Sequence, residues 1–198
     1  LDRAATADGL MTSMLSMFQN IREQDLFVLF LSGHGSTGQF EAWDDPLRYM
    51  DISKLLGQCP AKRKLMIVDA CYAGSWEDSR DINGAKGKKL TEEEALALFY
   101  AELGGSADGV TKLLAARPEQ YSFELKDRGA GLFTMKLLEG LSCAAQLDES
   151  PTITIGEIWK YLSVQVPDEA SARQLPRQTP VLKGTYVEAM PVSICMKN

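Results

Sequence analysis

The stretch that decides the fold is Lys64–Ser75, KLMIVDACYAGS. It begins with the apolar run Leu65–Val68, which is short and partly β-branched, as is typical of a buried strand in a parallel sheet. It ends in an aspartate, a cysteine and a run of small residues. Because open α/β folds place their ligands beyond the carboxyl ends of the strands, we expect Cys71 at the functional edge of the sheet.

A second stretch has the same pattern. Asp25–Ser36, DLFVLFLSGHGS, has six apolar residues and then, after Ser32 and a glycine, the single histidine of the chain, His34. Met50–Gly57, between the two strands, has the apolar spacing of a short helix. A strand–helix–strand unit has parallel strands joined by a right-handed crossover. We therefore expect His34 and Cys71 at the same edge of one sheet.

A cysteine and a histidine brought together are the minimum for an activated thiolate nucleophile. A free thiol is mostly protonated at neutral pH, so Cys71 needs a base, and His34 would supply it. The backbone N–H groups of Gly35 and Cys71 would point at the oxyanion that develops during acyl transfer. The sequence thus contains a nucleophile, a base and oxyanion donors.

Length and composition limit the other functions. The chain of 198 residues forms one domain with a sizeable core, and its 45% hydrophobic and 24% charged content is that of an ordinary globular protein. The net charge of −6 argues against nucleic acid or an anionic membrane as a partner. No apolar run is long enough to span a membrane, and no signal peptide is expected.

The four cysteines, at 59, 71, 143 and 195, form no CxxC pair. With one histidine in the chain, this spacing does not predict a zinc site, and we expect no bound metal. Scattered single cysteines suit a reducing compartment, so we expect a cytoplasmic protein. Apart from Cys71, the cysteines are interpreted as inert packing or surface residues.

The rest of the pattern predicts helices on both sides of a mostly parallel sheet, which is an α/β fold. Apolar spacing predicts further helices over Asp8–Ile21, Gly131–Cys143 and Thr154–Val166. The predicted caps are Thr6 or Asp8 for the first, Asp51 or Ser53 for Met50–Gly57, and a Thr154–Glu157 capping box for the last. Further strands are predicted over Val110–Ala116, Gln120–Leu125 (a short edge strand or hairpin arm) and Tyr186–Ile194 (at an edge). Loops are predicted over Gly38–Tyr49, Trp76–Leu90 and Arg173–Gly184.

Two motifs carry a resemblance to a known family. SGHG at Ser32–Gly35 and DACYAGS at Asp69–Ser75, each at the end of an apolar strand, resemble the caspase-like cysteine peptidases. They are closer to metacaspases and bacterial caspase-like domains than to animal caspases. LAARPEQ, GLFTMKLLEGL, ITIGEIWKYL and RQTPVLKG also resemble the family, so the likeness covers most of the chain. It implies a caspase-like three-layer sandwich and a peptidase that acts on proteins.

The resemblance also implies roles for individual residues. Cys71 would be the nucleophile, His34 the general acid/base and Gly35 an oxyanion donor. Asp69 stands where basic-specific members have an acid and aspartate-specific caspases have glutamine, and Ser32 matches a residue of the same specificity pocket. Because a carboxylate pairs with Arg or Lys by charge-assisted hydrogen bonds, we predict cleavage after a basic residue. Alternatively, Asp69 is a strand-end residue that satisfies N–H groups of loops.

The sequence departs from the family pattern in two ways. The family's first, central strand and its helix precede the material seen here, so residues 1–198 are interpreted as a caspase-like domain that lacks its N-terminal strand. An upstream fragment or a regulatory domain is the expected partner. Residues 76–109 form a long loop and helix insertion, in the region where the family often carries its self-cleavage linker. The candidate self-cleavage sites are Arg80, Lys86, Lys88 and Lys89.

Many metacaspases need calcium, but no full set of calcium ligands is evident in this sequence. Asp44 and Asp45 could help to hold a cation, but we favour a solvated loop as their explanation. We therefore predict no cofactor and leave calcium open.

Other interpretations stay open beside the peptidase. The same fold without catalysis would be a regulatory or interaction module, and another cysteine-dependent acyl transferase would use the same two residues. Correspondingly, His34 would be a satisfied structural histidine and Cys71 an inert buried residue. The spacing of Gly33, Gly35 and Gly38 fits a dinucleotide fingerprint, but no helix with an apolar face follows. The sequence has no G-x-S-x-G motif, which disfavours a serine hydrolase.

Overall fold

A computed structural model describes residues 3–36, 38–70, 109–117, 120–148, 152–184 and 188–195. Several predictions from the sequence fall outside these ranges. They concern the nucleophile, the loop and helix of residues 76–109, and the self-cleavage sites, namely Cys71, Arg80, Lys86, Lys88 and Lys89.

The central sheet has the strand order β1-β5-β6-β10. Strands β1 (Leu26–Gly33), β5 (Arg63–Ala70) and β6 (Val110–Leu114) run parallel, which confirms the mostly parallel sheet. Strand β10 (Val181–Gly184) pairs antiparallel with β6. The loop predicted for Arg173–Gly184 is therefore wrong over its last four residues, because two nearby prolines hid a strand too short to show a period of its own.

Helices cover both faces of this sheet. Helices α1 (Ala7–Phe18) and α2 (Tyr49–Leu56) pack on one face, and α3 (Leu132–Glu139) and α4 (Ile155–Ala172) belong to the core on the other. Alternate residues of β5 point to opposite faces, so Met66 and Val68 join the first core and Leu65 and Ile67 the second. Burial on both faces explains the continuous apolar run of β5 and confirms the three-layer arrangement.

The caps of α1 come from two parts of the chain. Thr6 Oγ1 accepts a hydrogen bond from the Gly9 N–H (3.1 Å), as predicted. Asp44 Oδ1 accepts a second one from the N–H of Ala7, the first residue of the helix (2.8 Å). The N–H groups of Ala7 and Asp45 lower the pKa of the Asp44 carboxyl. Asp44 therefore stabilises a helix start.

The other helices differ from their predictions at the ends. Helix α2 begins after Arg48 and has no side-chain cap, so the predicted caps Asp51 and Ser53 are wrong; both lie inside the helix. Helix α4 has the predicted capping box of Thr154 and Glu157, but it continues past Val166 to Ala172. Helix α3 ends at Glu139, short of the predicted Cys143, and a wide turn over Gly140–Ala144 follows.

Short strands occupy the predicted loop Gly38–Tyr49. Strands β3 (Gln39–Glu41) and β4 (Pro46–Arg48) form a three-stranded antiparallel sheet with β2 (Gly35–Ser36). Phe40 and Leu47 face each other across β3 and β4, and both are buried. The loop interpretation is wrong because two isolated apolar residues are too few to reveal a period.

Two small antiparallel pairs complete the fold. Strands β7 (Glu124–Leu125) and β8 (Ala130–Gly131) form a hairpin, which confirms the predicted hairpin arm. Strand β9 (Thr152–Thr154) pairs with β11 (Pro191–Ile194), so the predicted terminal strand lies outside the main sheet.

A disulfide joins Cys143, in the turn after α3, to Cys195, directly after β11. The prediction that both are inert packing or surface residues is wrong. Their separation of 52 residues in the sequence left no signal of pairing. Cys59 is a free, buried cysteine, as expected.

Removing the disulfide is expected to lower the stability of the domain. Closing a loop of 52 residues restricts the unfolded chain and contributes roughly 2–4 kcal/mol. We expect dithiothreitol, or the double substitution Cys143→Ala and Cys195→Ala, to lower the melting temperature by about 5–10 °C. Cys59→Ala is the control, since it keeps the disulfide and should respond to dithiothreitol as the wild type does. Alkylation of Cys143 and Cys195 in the denatured, unreduced protein would contradict the bond.

Lys112 is the more deeply buried of two buried lysines in the central sheet, the other being Lys64. Lys112 lies in the middle of β6, only 3% of it is exposed, and no carboxylate in the described ranges pairs with it. Burial lowers the pKa of its ammonium group to about 8. Below pH 8 the folded protein therefore carries the cost of a buried charge.

Lys112→Met is expected to raise the melting temperature at pH 7, with the gain shrinking as the pH rises above 8. Between pH 8 and 10.5 the unfolded lysine binds a proton that the folded one has lost, so the wild type becomes more stable with rising pH. The gain at pH 7 is on the order of 3 kcal/mol. Thermal unfolding of both proteins at pH 7.0 and 9.5 measures it, with exposed Lys126→Met as control. A gain that is equal at both pH values would show that charge is not the cause.

Candidate active site

The two motif strands end side by side. β1 and β5 are paired in register up to Ser32 opposite Asp69 and Gly33 opposite Ala70. His34 directly follows β1 in the sequence, and Cys71 directly follows β5. The predicted parallel pairing of the two motif strands is thus confirmed. Cys71 lies outside the described residues.

His34 leaves the sheet with its side chain exposed to solvent. Its backbone is anchored, since the Glu41 N–H donates a hydrogen bond to the His34 carbonyl (3.0 Å). No side chain in the described ranges hydrogen-bonds to the imidazole. Within the described residues, the ring is thus held through its backbone and not by a side-chain hydrogen bond.

The next residue, Gly35, presents its N–H away from the small sheet. In an antiparallel pair, hydrogen-bonded and non-hydrogen-bonded residue pairs alternate. His34 and Glu41 form a hydrogen-bonded pair, so Gly35 and Phe40, the next pair along, do not exchange hydrogen bonds. The Gly35 N–H is therefore not used by β3.

Asp69 is buried, with 6% of the residue exposed, and its carboxylate accepts three hydrogen bonds. Ser122 Oγ donates to Oδ1 (2.5 Å), and Oδ2 accepts from the Thr134 N–H (3.3 Å) and from the Thr134 hydroxyl. Thr134 is the third residue of α3. Asp69 thus satisfies a free N–H group and places negative charge at the positive end of that helix.

Gly131 makes room for this carboxylate. It is the N-cap residue of α3 and provides no capping side chain. A Cβ atom at this position would collide with Asp69 Oδ2. The aspartate of β5 therefore takes the place of the capping side chain that the helix itself lacks.

The Asp69 carboxylate has no cationic partner among the described residues. No lysine, arginine or histidine within the described ranges forms an ion pair with it. Taking an ionised carboxylate out of water is costly, and three hydrogen bonds offset only part of that cost. A positive group that entered from solvent would complete the site.

Ser32 lies beside Asp69 on the adjacent strand. Residues paired across parallel strands point to the same face of the sheet, and Ser32 is exposed. The structure therefore places Ser32 beside Asp69, two residues before His34 in the sequence. That the two residues form a specificity pocket stays a prediction.

Sequence reasoning missed the residues that hold Asp69 in place. These are Ser122, Thr134, Gly131 and, behind Ser122, Gln178, whose Nε2 donates to Ser122 Oγ (3.2 Å). Three segments that are far apart in the sequence contact one another here, and the periodicity of a sequence does not predict contacts of this kind. The one available signal was that Gly131 and Gln178 lie in GLFTMKLLEGL and RQTPVLKG, two segments that resemble the caspase-like peptidases.

Within the described ranges, no three histidine, cysteine, aspartate or glutamate side chains are grouped so as to hold a metal ion. Among the same residues, no helix has the length and apolar character needed to cross a membrane.

Comparisons with known proteins agree with this geometry. A family model described as the caspase domain matches residues 2–185. No curated protein matches the chain. Among solved structures, caspase-1 from Spodoptera frugiperda superimposes with a TM-score of 0.62 and 13% sequence identity, over 97% of this chain and 73% of that one. At this identity the likeness shows the fold alone.

The family match covers nearly the whole sequence, and the fold similarity covers the same residues. The mostly parallel sheet with helices on both faces is consistent with the fold of that neighbour. The chain therefore belongs to the caspase domain family of cysteine peptidases.

Proposed function

We propose that this domain is a cysteine endopeptidase that cleaves peptide bonds after arginine or lysine in protein substrates. One observation carries the choice of substrate: a buried carboxylate, Asp69, that no described cation neutralises, beside the strand that leads to His34. Family membership supports the peptidase chemistry.

In the proposed reaction, His34 takes the proton of the Cys71 thiol, and the thiolate attacks the carbonyl carbon of the scissile bond. The carbonyl oxygen becomes an oxyanion that accepts hydrogen bonds from the N–H groups of Gly35 and Cys71. The C–N bond then breaks, and His34 gives its proton to the departing amine. Water attacks the thioester, passes a proton to His34 and releases the new carboxyl end and the thiol.

Asp69 and Ser32 would form the wall of the pocket for the residue before the cleaved bond. The cation of arginine or lysine would supply the charge that the Asp69 carboxylate lacks. Three donors already fix the position of the carboxylate, so little ordering is needed when the substrate arrives. An acidic residue in this pocket would be repelled.

The first test is hydrolysis of fluorogenic peptides that differ only in the residue before the cleaved bond: Arg, Lys, Asp and Leu. We expect cleavage after Arg and Lys by the wild type, with and without calcium, and none by Cys71→Ala. Loss of one active-site nucleophile typically lowers kcat by a factor of about 10⁶. Cleavage after Asp or Leu instead would refute the basic specificity and keep the peptidase.

The same samples test self-cleavage and the alternative of a non-catalytic module. Intact mass should show cuts after Arg80, Lys86, Lys88 or Lys89 in the wild type and none in Cys71→Ala. If no peptide is cleaved, a thiol-reactive peptide probe decides: labelling of Cys71 indicates a gated enzyme, and no labelling indicates a regulatory module.

The cytoplasmic location stays a prediction, and the disulfide of Cys143 and Cys195 does not favour it.

We also propose that an upstream segment of the protein pairs with β1. Within the described residues β1 has β5 as its single neighbour, so its other edge offers free N–H and C=O groups. Val28 and Phe30 on the α3–α4 side of this strand are 48% and 44% exposed. A further strand would satisfy the edge, and a helix attached to it would cover these two side chains. The chain spans 73% of the caspase-1 structure, which leaves room for such an addition.

Hydrogen exchange measures this pairing. A chain extended upstream should protect the outward-facing β1 amides by at least tenfold (about 1.4 kcal/mol) compared with residues 1–198. Protection of the buried amides of β5 should be the same in both proteins. Equal exchange of β1 in the two proteins would contradict the proposed partner.

A further inference from the structure

Gln178 is a fully buried polar residue whose entire amide is used. Nε2 donates to the carbonyl of Ala115, at the end of β6 (3.0 Å), and to Ser122 Oγ (3.2 Å). Oε1 accepts from the Phe123 N–H (3.1 Å). None of the residue is exposed to solvent.

The two backbone partners fix the orientation of this amide. A carbonyl oxygen only accepts and an N–H only donates, so Nε2 must face Ala115 and Oε1 must face Phe123. Nε2 is then also the atom that faces Ser122. A rotated amide would lose both backbone hydrogen bonds.

This orientation sets the direction of the Ser122 hydroxyl. Its oxygen accepts a hydrogen bond from Gln178, and its own proton is directed to Asp69 Oδ1, at 2.5 Å, because a carboxylate oxygen accepts. The chain of donors runs from Gln178 through Ser122 to the carboxylate. Such chains polarise each member and stabilise the charged end.

We propose that Gln178 is a positioning residue for substrate selection, which acts through Ser122 to hold the Asp69 carboxylate in the orientation that receives a substrate cation. This inference rests on the proposed function. It gives a role to the segment RQTPVLKG, which leads into β10, at the opposite edge of the central sheet from β1.

The neighbouring residue provides a matched control. Thr179 is on the same segment, and its Oγ1 is buried without a hydrogen-bond partner. Its backbone N–H, which donates to Gln120 Oε1 (2.7 Å), is unchanged by substitution of the side chain. Thr179→Val therefore alters the core beside Gln178 and leaves the donor chain intact.

The experiment compares two peptides that differ only in the residue before the cleaved bond, arginine or citrulline, its uncharged analogue of nearly the same shape. The measured quantity is the ratio of their kcat/KM values in one preparation. This ratio does not depend on how much of the enzyme is folded, so a loss of stability alone cannot change it. The variants are Gln178→Met, Ser122→Ala, Thr179→Val, Asp69→Asn and the double variant with Asp69→Asn and Gln178→Met.

We expect the wild type to prefer arginine and Thr179→Val to keep that preference. Gln178→Met and Ser122→Ala should each lower the ratio by about tenfold, as loss of a hydrogen bond to a charged group predicts. In the Asp69→Asn background, Gln178→Met should have no further effect on the ratio, because both act through one carboxylate.

The outcomes separate this inference from the proposed function. A wild type with equal activity on both peptides refutes the basic specificity itself. A wild type that prefers arginine, with an unchanged ratio in Gln178→Met and Ser122→Ala, refutes the role of Gln178. If Gln178→Met does not fold, Ser122→Ala decides. Because Ser122 is the middle residue of the donor chain, an unchanged ratio in that variant would refute the role of Gln178.

Discussion

The interaction on which the site depends is the contact between the Asp69 carboxylate and the first turn of α3. It joins the end of a central strand to a helix of the second core, and it does so with a charge that is buried at the edge where the active-site strands end. The space it occupies exists because residue 131 is glycine. A carboxylate that stabilises a helix start is thereby already in place for the substrate binding that we propose beside it.

The hairpin that carries Gly131 is held from outside by charged side chains. Arg173, at the end of α4, donates to Glu169 (2.7 Å) and to both oxygens of Asp127 in the hairpin loop (3.1 Å). These carboxylates raise the pKa of the Arg173 guanidinium and their own pKa values are lowered. Exposed pairs of this kind add little stability. Their geometry, however, connects the hairpin loop to the end of α4.

The sequence was sufficient for the parts of the fold that follow a period. The apolar runs of β1 and β5 predicted a parallel pair, and the spacing of the helices predicted two covering layers, because burial of a strand or a helix face leaves a regular trace. The short strands β3, β4 and β10 have at most two buried residues each, which is too few to form a pattern. The predicted end of α3 lies too far along the chain, because the apolar periodicity continues into the turn that begins at Gly140.

The residues of the candidate site also fall into those that the sequence could predict and those that it could not. His34 and Asp69 could be predicted because each follows an apolar strand within a few residues. Ser122, Thr134 and Gln178 could not, because they reach Asp69 from segments that are 53, 65 and more residues away along the chain. The disulfide of Cys143 and Cys195 was missed for the same reason, since contact between distant residues is a property of the folded chain.

The structural role of Asp69 and the specificity proposed for it together restrict how a domain of this kind could change its substrate. Replacing the aspartate by glutamine would remove the charge that we propose binds a basic residue, and in the same step it would disturb the cap of α3 and force a longer side chain against Gly131. A change of preference would therefore need a second change at the start of that helix before it is tolerated. Under the proposed specificity, selectivity and helix stability are inherited together, and a change of preference passes through a destabilised intermediate.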